Sequence, residues 1–187
     1  EVRPISHWFF SDSNKRFKLT ITSGFLAIED FKYTSLSDYT TIIEKVIQSF
    51  TKYYTSLNYT RIGLRYINEI SMPDGDPLKW SDFISHPLVC SVEEFIGDKN
   101  ELSRAMSQFV IKKDDCSVLF NYGIYNSIFP EKISRKEFIL DYDCYSNDVD
   151  IPNLISQIKH YNLIILSLFE DSVNESYRRH LGVKNEN

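Results

Sequence analysis

Glycine and cysteine are scarce in this chain of 187 residues, with six of the first and three of the second. The glycines are scattered and form no G-x-G-x-x-G and no G-x-x-x-x-G-K, so neither common phosphate-cradling loop is present. Cys90, Cys116 and Cys144 are odd in number and widely spaced, which excludes a disulfide framework and points to a reducing compartment. There is no H-x-H, no E-x-x-H and no D-x-D-x-D-G loop, and no serine lies in G-x-S-x-G. The usual hydrolase, kinase and dehydrogenase signatures are therefore missing, and no catalytic residue, metal or cofactor is expected. Long hydrophobic runs are missing too. The longest, Leu163 to Leu168, is interrupted by Ser167 and falls far short of the roughly 20 residues that span a bilayer. With no signal peptide either, a cytoplasmic location and no membrane association are expected. Excess basic charge is also absent: the formal net charge is -5, which opposes binding to nucleic-acid phosphates.

What is present is ordinary globular material rich in aromatics. Hydrophobic residues make up 42% and charged residues 25%, enough to bury a core. Tyr 12 and Phe 13 favour half-buried pleated surfaces and argue for substantial sheet. Phe17, Leu19 and Ile21 alternate with polar residues at a strand period. Ser23-Gly24 is then expected to turn the chain, with Gly24 supplying a positive φ, before it returns through Phe25 to Phe31. Ser35 can cap a long helix carrying Tyr39, Ile42, Ile43, Val46, Ile47, Phe50, Tyr53, Tyr54 and Leu57 as one apolar stripe. Arg61 to Ile70 reads as a strand. Met72 to Asn100 is broken by prolines and glycines, with short helical pieces expected around Trp80 to Ile84 and Val92 to Ile96. Phe109 to Lys112, Cys116 to Tyr125 and Lys136 to Tyr145 read as further strands. A second long helix is capped by Asp150, with Pro152 in its first turn.

The expectation is an α+β fold: one curved antiparallel sheet with two long amphipathic helices packed on it. Strand, strand, helix occurs twice, which suggests a duplicated unit within a single domain (1-187), with halves at about 1-70 and 101-182 and a connector at 71-100. The chain begins at Glu1, without methionine, in a segment (Val2 to Phe10) that already looks like strand, so an earlier natural start is expected.

The densest chemistry lies at Arg61-Ile62-Gly63-Leu64-Arg65-Tyr66-Ile67-Asn68. Arg61 and Arg65 share one strand face about 13 Å apart, and Gly63 leaves room between them. Their guanidinium forks suit an anionic ligand; alternatively they pair with carboxylates on a neighbouring strand and fix its register. Asp141 and Asp143 also share a face. They can hold a metal or divide acid and base roles, but no third ligand stands near them in the sequence, and they are the natural partners of the two arginines. Pairing is the preferred reading. His160 lies near the stripe of the second helix, where a histidine hydrogen-bonded within the fold is more common than a catalytic base.

Around this octapeptide the chain resembles a sporadically distributed family of uncharacterised bacterial and archaeal proteins that carries an R-x-G-L-R-Y-x-N strand after a long helix. The likeness extends to Tyr33 ahead of the helix, to Asp141 and Asp143, and to His160, Phe169 and Glu170 late in the chain. Where that family has leucine before the histidine, Lys159 stands here. The resemblance implies no established activity, but the patchy distribution is that of accessory genes such as phage-defence or toxin–antitoxin components.

Two functions follow as expectations. In the first, the chain is a non-catalytic binding or regulatory module of a prokaryotic accessory system, working through protein–protein contacts. Its partner surface lies in the connector, at Trp80, Phe83 and Phe95. In the second, it is a binding protein or enzyme for a nucleotide or phosphorylated small molecule, using Arg61, Arg65, Asp141 and Asp143. Oligomeric state is left open by the sequence.

Overall fold

The computed structural model describes residues 6–54, 59–113, 115–147 and 151–182. The chain divides into two compact units, Glu1–Asn58 and Tyr59–Asn187. Its class is α+β, with antiparallel sheet and two long helices. The strands do not join into one sheet, however: three lie in one and four in another.

The first unit is an antiparallel meander, β1 (Trp8–Ser11), β2 (Phe17–Ile21) and β3 (Leu26–Asp30), followed by α1 (Leu36–Thr51). The turn after β2 is made by Thr22 and not by a left-handed glycine. Thr22 Oγ1 accepts the N–H groups of Gly24 and Phe25 at 3.1 and 3.0 Å, and Gly24 is not among the positive-φ glycines. A threonine hydroxyl can substitute for backbone in this way at a tight turn. Ser35 caps α1 as expected, its hydroxyl accepting the Asp38 N–H at 3.1 Å. Thr34 and Asp30 tie the entry to α1 through Arg16, whose guanidinium grips both Asp30 carboxylate oxygens and also donates to Thr34 Oγ1. Tyr39 donates its hydroxyl to the Ile28 carbonyl at 2.6 Å, joining α1 to β3, and burial pushes its phenol up to about 12. The helix ends at Thr51, so Tyr53 and Tyr54 fall beyond it and are exposed. Leu57, the last member of the expected stripe, lies outside the described residues, as do Val2 to Ile5 of the expected first strand.

The second unit holds β4 (Ile62–Met72), α2 (His86–Glu93), β5 (Ala105–Lys112), β6 (Ser117–Ile124), β7 (Lys136–Ser146), α3 (Leu154–Ser172) and α4 (Glu175–His180). The sheet order is β4-β7-β6-β5, with every neighbouring pair antiparallel. As in the first unit, a three-stranded meander (β5, β6, β7) is followed by a long helix. Here β4 adds to the β7 edge, in register from Ile62↔Ser146 to Met72↔Lys136.

Side chains alternate across the sheet, so the register decides which share a face. One face carries Leu64 and Ile70 on β4, Phe138, Leu140, Tyr142 and Cys144 on β7, and Val118, Phe120 and Tyr122 on β6, all buried. The helix α3 crosses β4 and β7 and buries Ile158, Tyr161 and Ile165. Tyr66 Oη donates to Asn162 Oδ1 at 3.0 Å, locking strand to helix. Pro152 sits in a 3-10 turn (Ile151–Asn153) that leads into α3, while Asp150, the expected cap, lies outside the described residues.

The connector is more ordered than its prolines suggest. Pro87 does not break structure but starts α2, where its missing N–H has no helical partner to lose. Trp80 to Ile84 forms turns, held by Glu93 Oε1, which accepts the N–H groups of Trp80 and Ser81 at 2.8 Å each. Asn174 Nδ2 donates to the carbonyls of Ser81 and Ile84, and Ile84 bridges to Val173. The segment is thus fastened to the junction of α3 and α4.

Candidate functional site

Opposite the helix-covered face, the four-stranded sheet carries the residues that sequence reading singled out. Register places Arg65 beside Asp143 and Ile67 beside Asp141, so both ion pairs run diagonally between β4 and β7. Arg65 donates from Nε and Nη2 to the two oxygens of Asp141 at 2.7 and 2.8 Å. This two-pronged geometry is the strong form of the pair, and the bonds to Asp141 raise Arg65 above its ordinary pKa. Arg61, just before β4, donates to Asp143 Oδ2 at 2.7 Å and lies over the Tyr145 ring at 4.3 Å. Gly63 leaves the room this needs: a Cβ there would come within 3.2 Å of Asp143 Oδ1 and 3.3 Å of Arg61 Nη1.

The ladder continues across the sheet. Asn121 Nδ2 on β6 donates to Asp141 Oδ2 at 3.1 Å, and Gln108 Nε2 on β5 donates to Asn121 Oδ1 at 2.7 Å. Arg65, Asp141, Asn121 and Gln108 thus form one polar line over all four strands. Sequence reading found its first two members; Asn121 and Gln108 carry no motif and become visible only through the register. Each guanidinium already faces a carboxylate, so the pairs favour this register and both cations are neutralised.

Arg65→Ala tests that role. It strands a buried carboxylate with Asn121 as its remaining side-chain donor, at a cost of about 1–2 kcal/mol; the half-exposed arginine keeps the figure at the low end. Urea denaturation is expected to show the loss, and an unchanged midpoint would mean that the ladder does not hold the sheet.

The aromatic residues of the connector are placed differently from one another. Trp80 is 1% exposed, packed against Phe138 with its indole N–H donated to the Pro77 carbonyl. It is a core residue and offers no surface to a partner; the sequence expectation fails because Glu93 and Asn174 fold the turn inward over it. Phe83 is half-buried beside it, with the Lys136 ammonium over its ring at 5.5 Å. Phe95 is 41% exposed at an open cleft of about 220 Å³ that Leu88, Val92, Leu102 and Tyr122 also line.

A cluster that sequence reading did not find lies where the β5–β6 turn meets α3. Ligand atoms of Asp115, Cys116 and His160 all fall within 4.8 Å of one another, and among the described residues no other group of this kind converges so closely. His160 Nε2 stands 3.0 Å from Asp115 Oδ2, both side chains being about half-exposed. Cys116 is buried beneath them, and its Sγ lies 3.7 Å from Sγ of Cys144 on β7. Burial pushes both thiols up, which makes them poor nucleophiles. The signal was hidden because His160 is far from Asp115 and Cys116 along the chain and no spacing motif links them.

Compared with known proteins, the chain matches no family model, no curated protein and no solved structure.

Proposed function

We propose that this chain is a non-catalytic binding module that works through protein–protein contacts, with its partner surface on the first unit. The observation that carries this reading is the sheet face made by Trp8, Phe10, Leu19, Ile21, Leu26 and Ile28. Register puts these six on one face, Trp8 beside Ile21 and Leu26, and Phe10 beside Leu19 and Ile28. None of the six is fully buried, and Trp8 and Phe10 are each 54% exposed. A contiguous apolar face on three strands, with aromatics at its edge, is the surface that a protein partner desolvates.

The competing reading, an anion-binding protein or enzyme acting through Arg61 and Arg65, draws less support because both guanidinium groups are neutralised by Asp143 and Asp141. The place in a prokaryotic accessory system, of defence or toxin–antitoxin type, rests on the octapeptide resemblance.

The test is native mass spectrometry of the full-length protein isolated gently from its own host, beside a Trp8→Ser/Phe10→Ser variant. A second protein in fixed ratio with the wild type, absent from a variant of unchanged circular dichroism, is the expected result. A bare chain carrying a nucleotide or phosphorylated metabolite would overturn it.

A further inference from the structure

The cluster at the β5–β6 turn has the composition and spacing of a transition-metal site. An imidazole nitrogen, a thiolate sulfur and a carboxylate oxygen are the three donor types zinc takes, and the thiol narrows the choice away from magnesium and calcium. A nitrogen and an oxygen at about 2.0–2.1 Å from the same ion stand about 3.3 Å apart, and His160 Nε2 and Asp115 Oδ2 are separated by 3.0 Å.

We propose that Asp115, Cys116 and His160 bind a zinc ion. Asp115 and Cys116 come from the turn between β5 and β6, and His160 from α3. The ion therefore clasps the helix to the turn. Three protein ligands leave the fourth position to a water. Binding displaces the Cys116 thiol proton, so zinc leaves as pH falls.

The experiment uses the full chain, kept reduced, with Co2+ and Zn2+ as probes. One equivalent of Co2+ is expected to give the intense visible bands of a tetrahedral site with a thiolate-to-cobalt charge-transfer band, and Zn2+ is expected to bleach them. Zn2+ at a hundredfold excess over its Kd is expected to raise Tm by about 5–10 °C. Cys116→Ser tests the sulfur, but a buried substitution can unfold the chain. Asp115→Ala and His160→Ala, both at half-exposed positions, therefore carry the test. Each is expected to leave the metal-free Tm within a few degrees of wild type and to weaken Zn2+ binding at least tenfold. Absence of the tetrahedral spectrum in the wild type, or an equal rise in Tm for wild type and His160→Ala, would overturn the assignment.

Discussion

Tyr142→Ala is expected to destabilise the second unit by about 3–5 kcal/mol, the range for removing a large aromatic from a packed core. Tyr142 is fully buried at the middle of β7, the strand flanked on both sides by others. Its ring stacks on Phe120 with centroids 4.5 Å apart and planes 5° from parallel. Its hydroxyl donates to Ser172 Oγ at 2.8 Å, and Ser172 in turn donates to the Leu168 carbonyl of α3 at 2.7 Å. Burial pushes the phenol well above its ordinary pKa, so it stays a neutral donor at any physiological pH. The alanine variant loses ring, stack and hydrogen bond together. Tyr142→Phe keeps the first two, and since Ser172 retains its bond to Leu168 the cost is expected to fall to about 1 kcal/mol. Urea denaturation of the pair separates packing from hydrogen bonding, and equal losses would show that the hydroxyl and not the ring is decisive.

The second large effect is expected at Gly123, near the end of β6. Its φ is +137°, a conformation that side chains other than glycine's rarely adopt. A Cβ built there would fall 2.1 Å from the Ala105 carbonyl oxygen and 3.0 Å from Met106 Cα, both backbone atoms of β5. Backbone cannot swing aside as a side chain can, so the strands must part. Gly123→Ala is expected to cost about 2–5 kcal/mol, the sum of backbone strain and overpacking. Its first sign is expected to be faster amide exchange along β5, the edge strand. Gly24 is the control. A Cβ there meets only Thr22 Oγ1 at 4.0 Å, and Gly24→Ala is expected to stay within about 0.5 kcal/mol. Comparable losses at both positions would mean that close approach is not what Gly123 provides.

The contrast between these two glycines shows how far one-dimensional reading reaches. Gly24 reads as a turn glycine and Gly123 falls inside an expected strand, yet the first turn depends on the Thr22 hydroxyl, and the positive φ is at the strand glycine. The same holds for Trp80 and Trp8. Two aromatic residues near polar neighbours look alike in sequence; one is closed over by Glu93 and Asn174 hydrogen bonds, and the other is exposed on the edge strand β1.

Local periodicity by itself determined the α+β class, the hairpin of β2 and β3, the Ser35 cap and the two amphipathic helices. Each depends on residues a few positions apart, whose spacing is set by the pitch of a helix or the pleat of a strand. Alternation also put Arg61 and Arg65 on one face and Asp141 and Asp143 on another, and the pairing followed once those faces met. What only the tertiary structure decided was strand order and register. These divide the strands between two sheets, extend the ladder to Asn121 and Gln108, and bring His160 to Asp115 and Cys116. Such contacts join residues distant along the chain. Many pairings satisfy the same alternation, and the choice among them is made by packing of the whole core, in which no single segment contains the answer.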